Sequence, residues 1–150
     1  MSFQESVKIK GELELVLRDK DGKIKERRQE RNLLVNAGLN AILDRLVGTS
    51  EAVMSHMALG SGTTAAAAAN TALETQLGSR EALDSSTVTA AALAYVCNFE
   101  AGDATGTVTE AGIFNASSSG TMLCRSVFSA ITKGASDSLN VTWTITVTAS

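Results

Sequence analysis

The chain contains no proline, one tryptophan, one tyrosine, four phenylalanines, one histidine and two cysteines among its 150 residues. With aromatics scarce and proline missing, alanine, threonine, serine and glycine must do much of the packing. They suit thin layers and polar sheet faces, so the expected core is modest and open to completion by partners. The shortage of aromatics also removes the stacking platform of a nucleic-acid binder, and the bases are interleaved with acids, so no nucleic acid is expected. The lone histidine, His56, sits between Met54 and Met57 in an apolar stretch. It has no second histidine for a metal pair, and a packed or interface role is expected for it. Cys97 and Cys124 lack a CxxC spacing. Both fall in expected strands, as partners on adjacent strands or, the favoured reading without a secretion signal, as free buried thiols. The opening MSFQESVKIKGELE has no apolar core of a signal peptide, and no apolar run approaches the ~20 residues that span a bilayer. A soluble protein made in a reducing cytoplasm, with no membrane partner and no cofactor, is the expectation.

Charge is present but unevenly placed. Up to Val35 there are nine bases and seven acids; the rest of the chain has four bases against nine acids. The simple reading of the first segment is a solvated hairpin. The sharper one is a docking arm for a charged surface, carried by Lys8, Lys10, Arg18, Lys23, Lys25, Arg27, Arg28 and Arg31.

The apolar pattern is that of a β protein. Val7, Ile9, Leu13, Leu15 and Leu17 recur at period two, Asp19-Lys20-Asp21-Gly22 is a turn, and Lys23–Arg31 continues as a second strand. Leu39, Ile42, Leu43 and Leu46 are at helical spacing, predicting one amphipathic helix between Asn36 and Val47, with Asn36 as N-cap and Gly48 as stop. Val53–Leu59 reads as a buried strand. Thr63–Leu77 reads as a loop with a helical turn near Thr71–Thr75, and Ala82–Ser86 as a possible strand start. Thr87–Phe99 reads as a central strand, Thr107–Asn115 and Thr121–Ile131 as strands about the Ser117–Gly120 turn, and Leu139–Thr148 as a closing strand. In that last strand Leu139, Val141, Trp143, Ile145 and Val147 share one face. Short strands, glycine turns and one helix predict a mainly β chain. The expectation is a β-sandwich with an N-terminal β-hairpin and one short amphipathic helix, a single structural domain over residues 1–150. Within it, residues 1–35 form the charged hairpin arm and 36–150 the sandwich core.

Catalytic patterns are weak. Gly60-Ser61-Gly62-Thr63-Thr64 has neither the spacing nor the lysine of a phosphate loop and reads as a strand-ending turn. No GxSxG occurs, and no nucleophile has a histidine close in sequence. Glycoside chemistry needs two facing carboxylates, and of Glu100, Asp103 and Glu110 the second belongs to a turn. Glu110 is expected to pair with Arg125 across the Ser117–Gly120 turn, a pair that sets register more than it adds stability. No catalytic, cofactor-binding or metal residue is expected.

Four stretches taken in order carry a resemblance: NLLVNAG from Asn32, SHMALGSGTT from Ser55, TEAGIFN from Thr109 and GTMLCR from Gly120. Over about Asn32 to Val147 the chain resembles small structural proteins of tailed bacteriophages, the capsid decoration (cement) or tail-fibre-like kind. The resemblance implies a β-sandwich that assembles as a homotrimer on the virion surface, after synthesis in the host bacterial cytoplasm. The leading expectation is a non-enzymatic decoration protein that binds the major capsid protein and stabilises the head shell, with the charged hairpin against the capsid lattice. The alternative is a tail-fibre or baseplate-associated adaptor module, whose partner is a tail or baseplate protein.

Overall fold

The computed structural model describes residues 4–149. Ten strands and one helix follow in order: β1 (Val7–Arg18), β2 (Ile24–Arg31), β3 (Leu33–Leu34), α1 (Asn36–Leu46), β4 (His56–Gly60), β5 (Gln76–Ala82), β6 (Ser85–Thr89), β7 (Ala92–Phe99), β8 (Gly106–Phe114), β9 (Met122–Lys133) and β10 (Ser138–Ala149). They form two five-stranded antiparallel sheets, β2-β1-β10-β7-β6 and β3-β9-β8-β4-β5, stacked as a β-sandwich. Among the described residues no helix is long and apolar enough to cross a membrane.

Period-two alternation places the core. β1 and β10 pair over their whole length, setting Leu13 opposite Trp143, Leu15 opposite Val141 and Leu17 opposite Leu139, all buried on the inner face. Burying each such side chain stabilises by roughly 1.5–3 kcal/mol. Met57, Leu59, Val108, Ile113, Cys124 and Ile131 meet them from the second sheet. The outer face of the first sheet carries Asn140, Thr142, Thr144 and Thr146, half-buried and alternating with the core residues. Trp143 is fully buried, and its indole Nε1 donates to Asn32 Oδ1 at 2.9 Å. Cys97 and Cys124 are buried free thiols.

Four local expectations change. The stretch Thr87–Phe99 is two strands: Ala90 turns into a left-handed backbone (φ 54°), and the chain reverses between β6 and β7. Residues 61–75 contain no helix near Thr71–Thr75; they form an irregular strap with one hydrogen-bonded turn at Ala67–Asn70, tied to Glu110 and Arg125 of the second sheet. Asn36 is the first helical residue rather than the cap. Val35 occupies the N-cap position with no capping side chain, and the Asn36 amide donates to the strap carbonyl of Ala68. The leucine stripe of α1 does not face the core. A Cβ on Gly38 would stand 2.7 Å from the Leu123 Cα, so the helix lies on β9 through Gly38 and Ala41 and turns Leu39, Leu43 and Leu46 outward.

The charged hairpin of β1 and β2 is part of the sandwich. β1 is an interior strand of its sheet, and only β2 lies at the edge.

Candidate functional site

Two features stand apart from ordinary packing: a buried ionic knot beneath the strap, and an apolar groove at one end of the sandwich.

The knot begins with register. β8 and β9 set Gly112 opposite Arg125 and Glu110 opposite Val127, so Glu110 and Arg125 are diagonal neighbours on the outer face of the second sheet. Diagonal positions are within reach of long side chains. The Arg125 Nε donates to Glu110 Oε2 at 2.9 Å. Nη2 stands 2.8 Å from the same oxygen, off the line of a hydrogen bond. Both side chains are buried, 2% exposed for arginine and 0% for glutamate. The other contacts tie down the strap. Gly62 N (3.0 Å) and Thr75 N (2.8 Å) donate to Glu110 Oε1, and Glu74 N donates to Oε2 at 3.1 Å. Arg125 Nη1 donates to Asn70 Oδ1 at 3.0 Å, and that oxygen also accepts from Ala67 N. Thr109 Oγ1 donates to the Gly62 carbonyl.

Gly60 and Gly62 have a steric reason. A Cβ on either would come within 2.6 Å of Glu110 Oε1. The GSG stretch is therefore the slot through which the carboxylate reaches the strap. With both oxygens occupied by main-chain donors and a guanidinium, Glu110 fastens a loop. Three of the resembling stretches meet here, and Asn70 joins them from outside any of the four. Its sequence signal was the one asparagine in an alanine-rich loop.

The groove is lined by residues of β1, β6, β7 and β10 from the first sheet, by Leu123 of β9, and by α1 and residues 52–54. It encloses about 720 Å³. Of the ten large hydrophobic residues exposed among those described, six line it: Val7, Leu43, Leu46, Val53, Val88 and Val147. Arg45 is its one charged lining residue. The leucine spacing of α1 gives no sign of this groove, because an amphipathic stripe ordinarily faces a core.

Four of the eight basic residues expected to form the docking arm make ion pairs within the sandwich. Lys10 pairs with Glu12, Arg27 with Glu14 and Lys25 with Asp137. Arg28 is held by Glu26 and Glu30 and donates to the carbonyls of Ser129 and Ala130 on β9, clamping the two sheets at that edge. Lys8, Lys23 and Arg31 are exposed and Arg18 is half-buried. The Lys25 ammonium, followed by the Gly134 amide, holds the Asp137 carboxyl below its usual range. Burial lowers the Lys133 ammonium, which donates to the Glu100 carbonyl at 2.8 Å. His56 is half-buried on β4, its Nδ1 2.8 Å from Ser55 Oγ. Among the described residues no group of three acidic, cysteine or histidine side chains is placed to hold a metal.

The chain matches no known family profile, no curated protein and no solved structure.

Proposed function

We propose that this chain is a structural protein of a tailed-bacteriophage virion, non-enzymatic, acting as a capsid decoration (cement) protein that binds the major capsid protein as a homotrimer and stabilises the head shell. The observation that carries the reading is the apolar groove. A sandwich that gathers six exposed aliphatic side chains around one opening is suited to being covered in an assembly.

The magnitude favours many weak contacts over one strong one. The exposed fractions of those six residues amount to roughly four fully exposed aliphatic side chains, a gross gain on burial of roughly 6–11 kcal/mol. Association costs about 4–15 kcal/mol in lost freedom. A single such contact is marginal, and repetition over a lattice is what makes it durable. The Glu110–Arg125 knot supports the same reading, because the most deeply buried ion pair among the described residues fastens a surface strap in one shape.

The test is stoichiometry. Purified particles of the parent phage are separated on a stained denaturing gel and the band for this chain is quantified against the major capsid protein. Hundreds of copies per particle are expected. A dozen or fewer would move the assignment to a tail-fibre or baseplate adaptor, and absence from particles would overturn the reading.

A further inference from the structure

A two-sheet sandwich has four edges, and each exposes main-chain donors and acceptors that can accept a foreign strand unless something blocks them. Three are blocked here. β2 carries six charged residues among its eight. β9 is covered by β3 only at Cys124 and Arg125, and further along its Ser129 and Ala130 carbonyls are taken by the Arg28 guanidinium, which brings Glu26 and Glu30 with it. β5 breaks register against β4 between Met57 and Leu59, turns at Gly78 (φ 63°), and sends Arg80 over the Phe114 ring to the carbonyls of Ala116 and Ser119.

β6 differs on every count. Its sequence SSTVT has no charge, three of its five residues are β-branched, all five are exposed, and it pairs with β7 alone in unbroken register. It also borders the groove: Val88, opposite Leu93 on β7, lines it together with Leu93.

We infer that β6 is a docking edge for an extended strand of a partner chain, one that is uncharged on its inward side and apolar at every second position. The partner's main chain continues the first sheet beyond β6, and its alternate side chains lie over the groove beside Val88. Strand addition of this kind takes affinity from main-chain hydrogen bonds and selectivity from pockets for alternate side chains. The groove sets the chemistry of those side chains. With Arg45 its one charged lining residue, an inward charge on the partner would be desolvated with little to pair with. A second copy's β6 is a poorer occupant. In any register its groove-side face offers Val88 as the one large apolar side chain, with Ser86 two positions away, where the groove takes an apolar side chain at every second position.

The inference concerns the isolated chain and does not depend on the phage reading. The probe is a synthetic peptide with the alternation of Leu139–Val147 (LNVTWTITV), flanked by two lysines at each end for solubility, beside a scrambled peptide of the same composition. Titrated into the ¹⁵N-labelled full chain, the alternating peptide is expected to shift the amides of Ser85–Thr89 and of the groove residues, and to slow hydrogen exchange in β6 at least tenfold. Val88→Lys, at a position 71% exposed and so tolerant of lysine, is expected to weaken binding at least tenfold. Ile24→Lys, on the opposite edge of the same sheet, is expected to leave binding within twofold. The inference is overturned by no binding, by equal binding of the scrambled peptide, by shifts centred on β2 or β5, or by indifference to Val88→Lys. It is equally overturned if light scattering shows a dimer of the unliganded chain that Val88→Lys abolishes, which would give the edge to a second copy. Neither a peptide failure nor a success alters the particle stoichiometry, so the two proposals fail separately.

Discussion

Replacing Glu110 by glutamine tests the knot most directly, because it changes charge and donor pattern while nearly preserving shape. In the native chain the carboxylate offers two acceptor oxygens to the amides of Gly62, Glu74 and Thr75 and to the Arg125 guanidinium. The variant offers one oxygen and one NH₂ group, so at least one main-chain amide meets a donor. Arg125, 2% exposed, keeps its charge but loses the one carboxylate it hydrogen-bonds, and the Glu74 carboxylate acts on it only from further off. Breaking a buried ion pair from one side costs about 3–5 kcal/mol. Against a total of about 5–15 kcal/mol for a domain, the loss is large. At about 2–4 °C per kcal/mol for a chain of this size it lowers Tm by roughly 6–20 °C. Urea and thermal unfolding measure the loss. Hydrogen exchange over residues 61–75 locates it, and protection there is expected to fall further than in β1 or β10, which lie in the other sheet. The double variant Glu110→Gln, Arg125→Gln should cost less than the two single changes added together, since neither partner is then stranded as a charge. A Glu110→Gln protein within about 1 kcal/mol of the native one, with strap protection intact, would refute the assignment of the knot as the strap's anchor.

Gly62→Ala, whose Cβ would lie 2.6 Å from Glu110 Oε1, should destabilise by about 1–3 kcal/mol through overpacking and loosen the same strap; an unchanged urea midpoint would contradict the slot geometry. Asp137 has a depressed folded pKa against an ordinary value of 3.8, so its stabilising contribution is present above pH 3.8 and is lost as the pH falls below it through the folded pKa. Asp137→Asn should therefore lower stability at neutral pH and flatten the pH dependence in that acid window, as followed by thermal melts from pH 7 to pH 2. Burial pushes the Cys97 thiol up to about 12 and the Cys124 thiol well above its usual range, so neither should react with a thiol reagent at pH 8 until urea unfolds the chain. Rapid labelling of the native protein would show that the interior is not closed around them.

Much of the sandwich is legible without coordinates. The alternation in Leu139–Val147 and in Val7–Leu17 fixes which side chains point inward, because period two leaves a strand only two faces. The Ser117–Gly120 turn likewise brings Glu110 and Arg125 onto neighbouring strands. The helix shows where such patterns run out. Its leucines are spaced as a core-facing stripe, yet Gly38 and Ala41 decide how it docks, since only small residues let its backbone approach Leu123. Thr87–Phe99 fails for a different reason: the reversal at Ala90 uses a left-handed backbone (φ 54°) that alanine adopts only at a cost, so no glycine or asparagine marks the turn in the sequence.

The sequence by itself determined the period-two alternation of β1 and β10, the Asp19–Gly22 and Ser117–Gly120 turns and the inward set of those two strands, all of which depend on residues close together in the chain. Tertiary structure alone decided that β1 is an interior strand rather than an arm, that Gly60 and Gly62 clear a path for Glu110, and that β6 is left open beside an uncovered groove. Each of those depends on which distant segments become neighbours. Local preference cannot encode that, because the donors that hold Glu110 and the walls that shape the groove come from elements far apart in sequence and meet only once both sheets have closed.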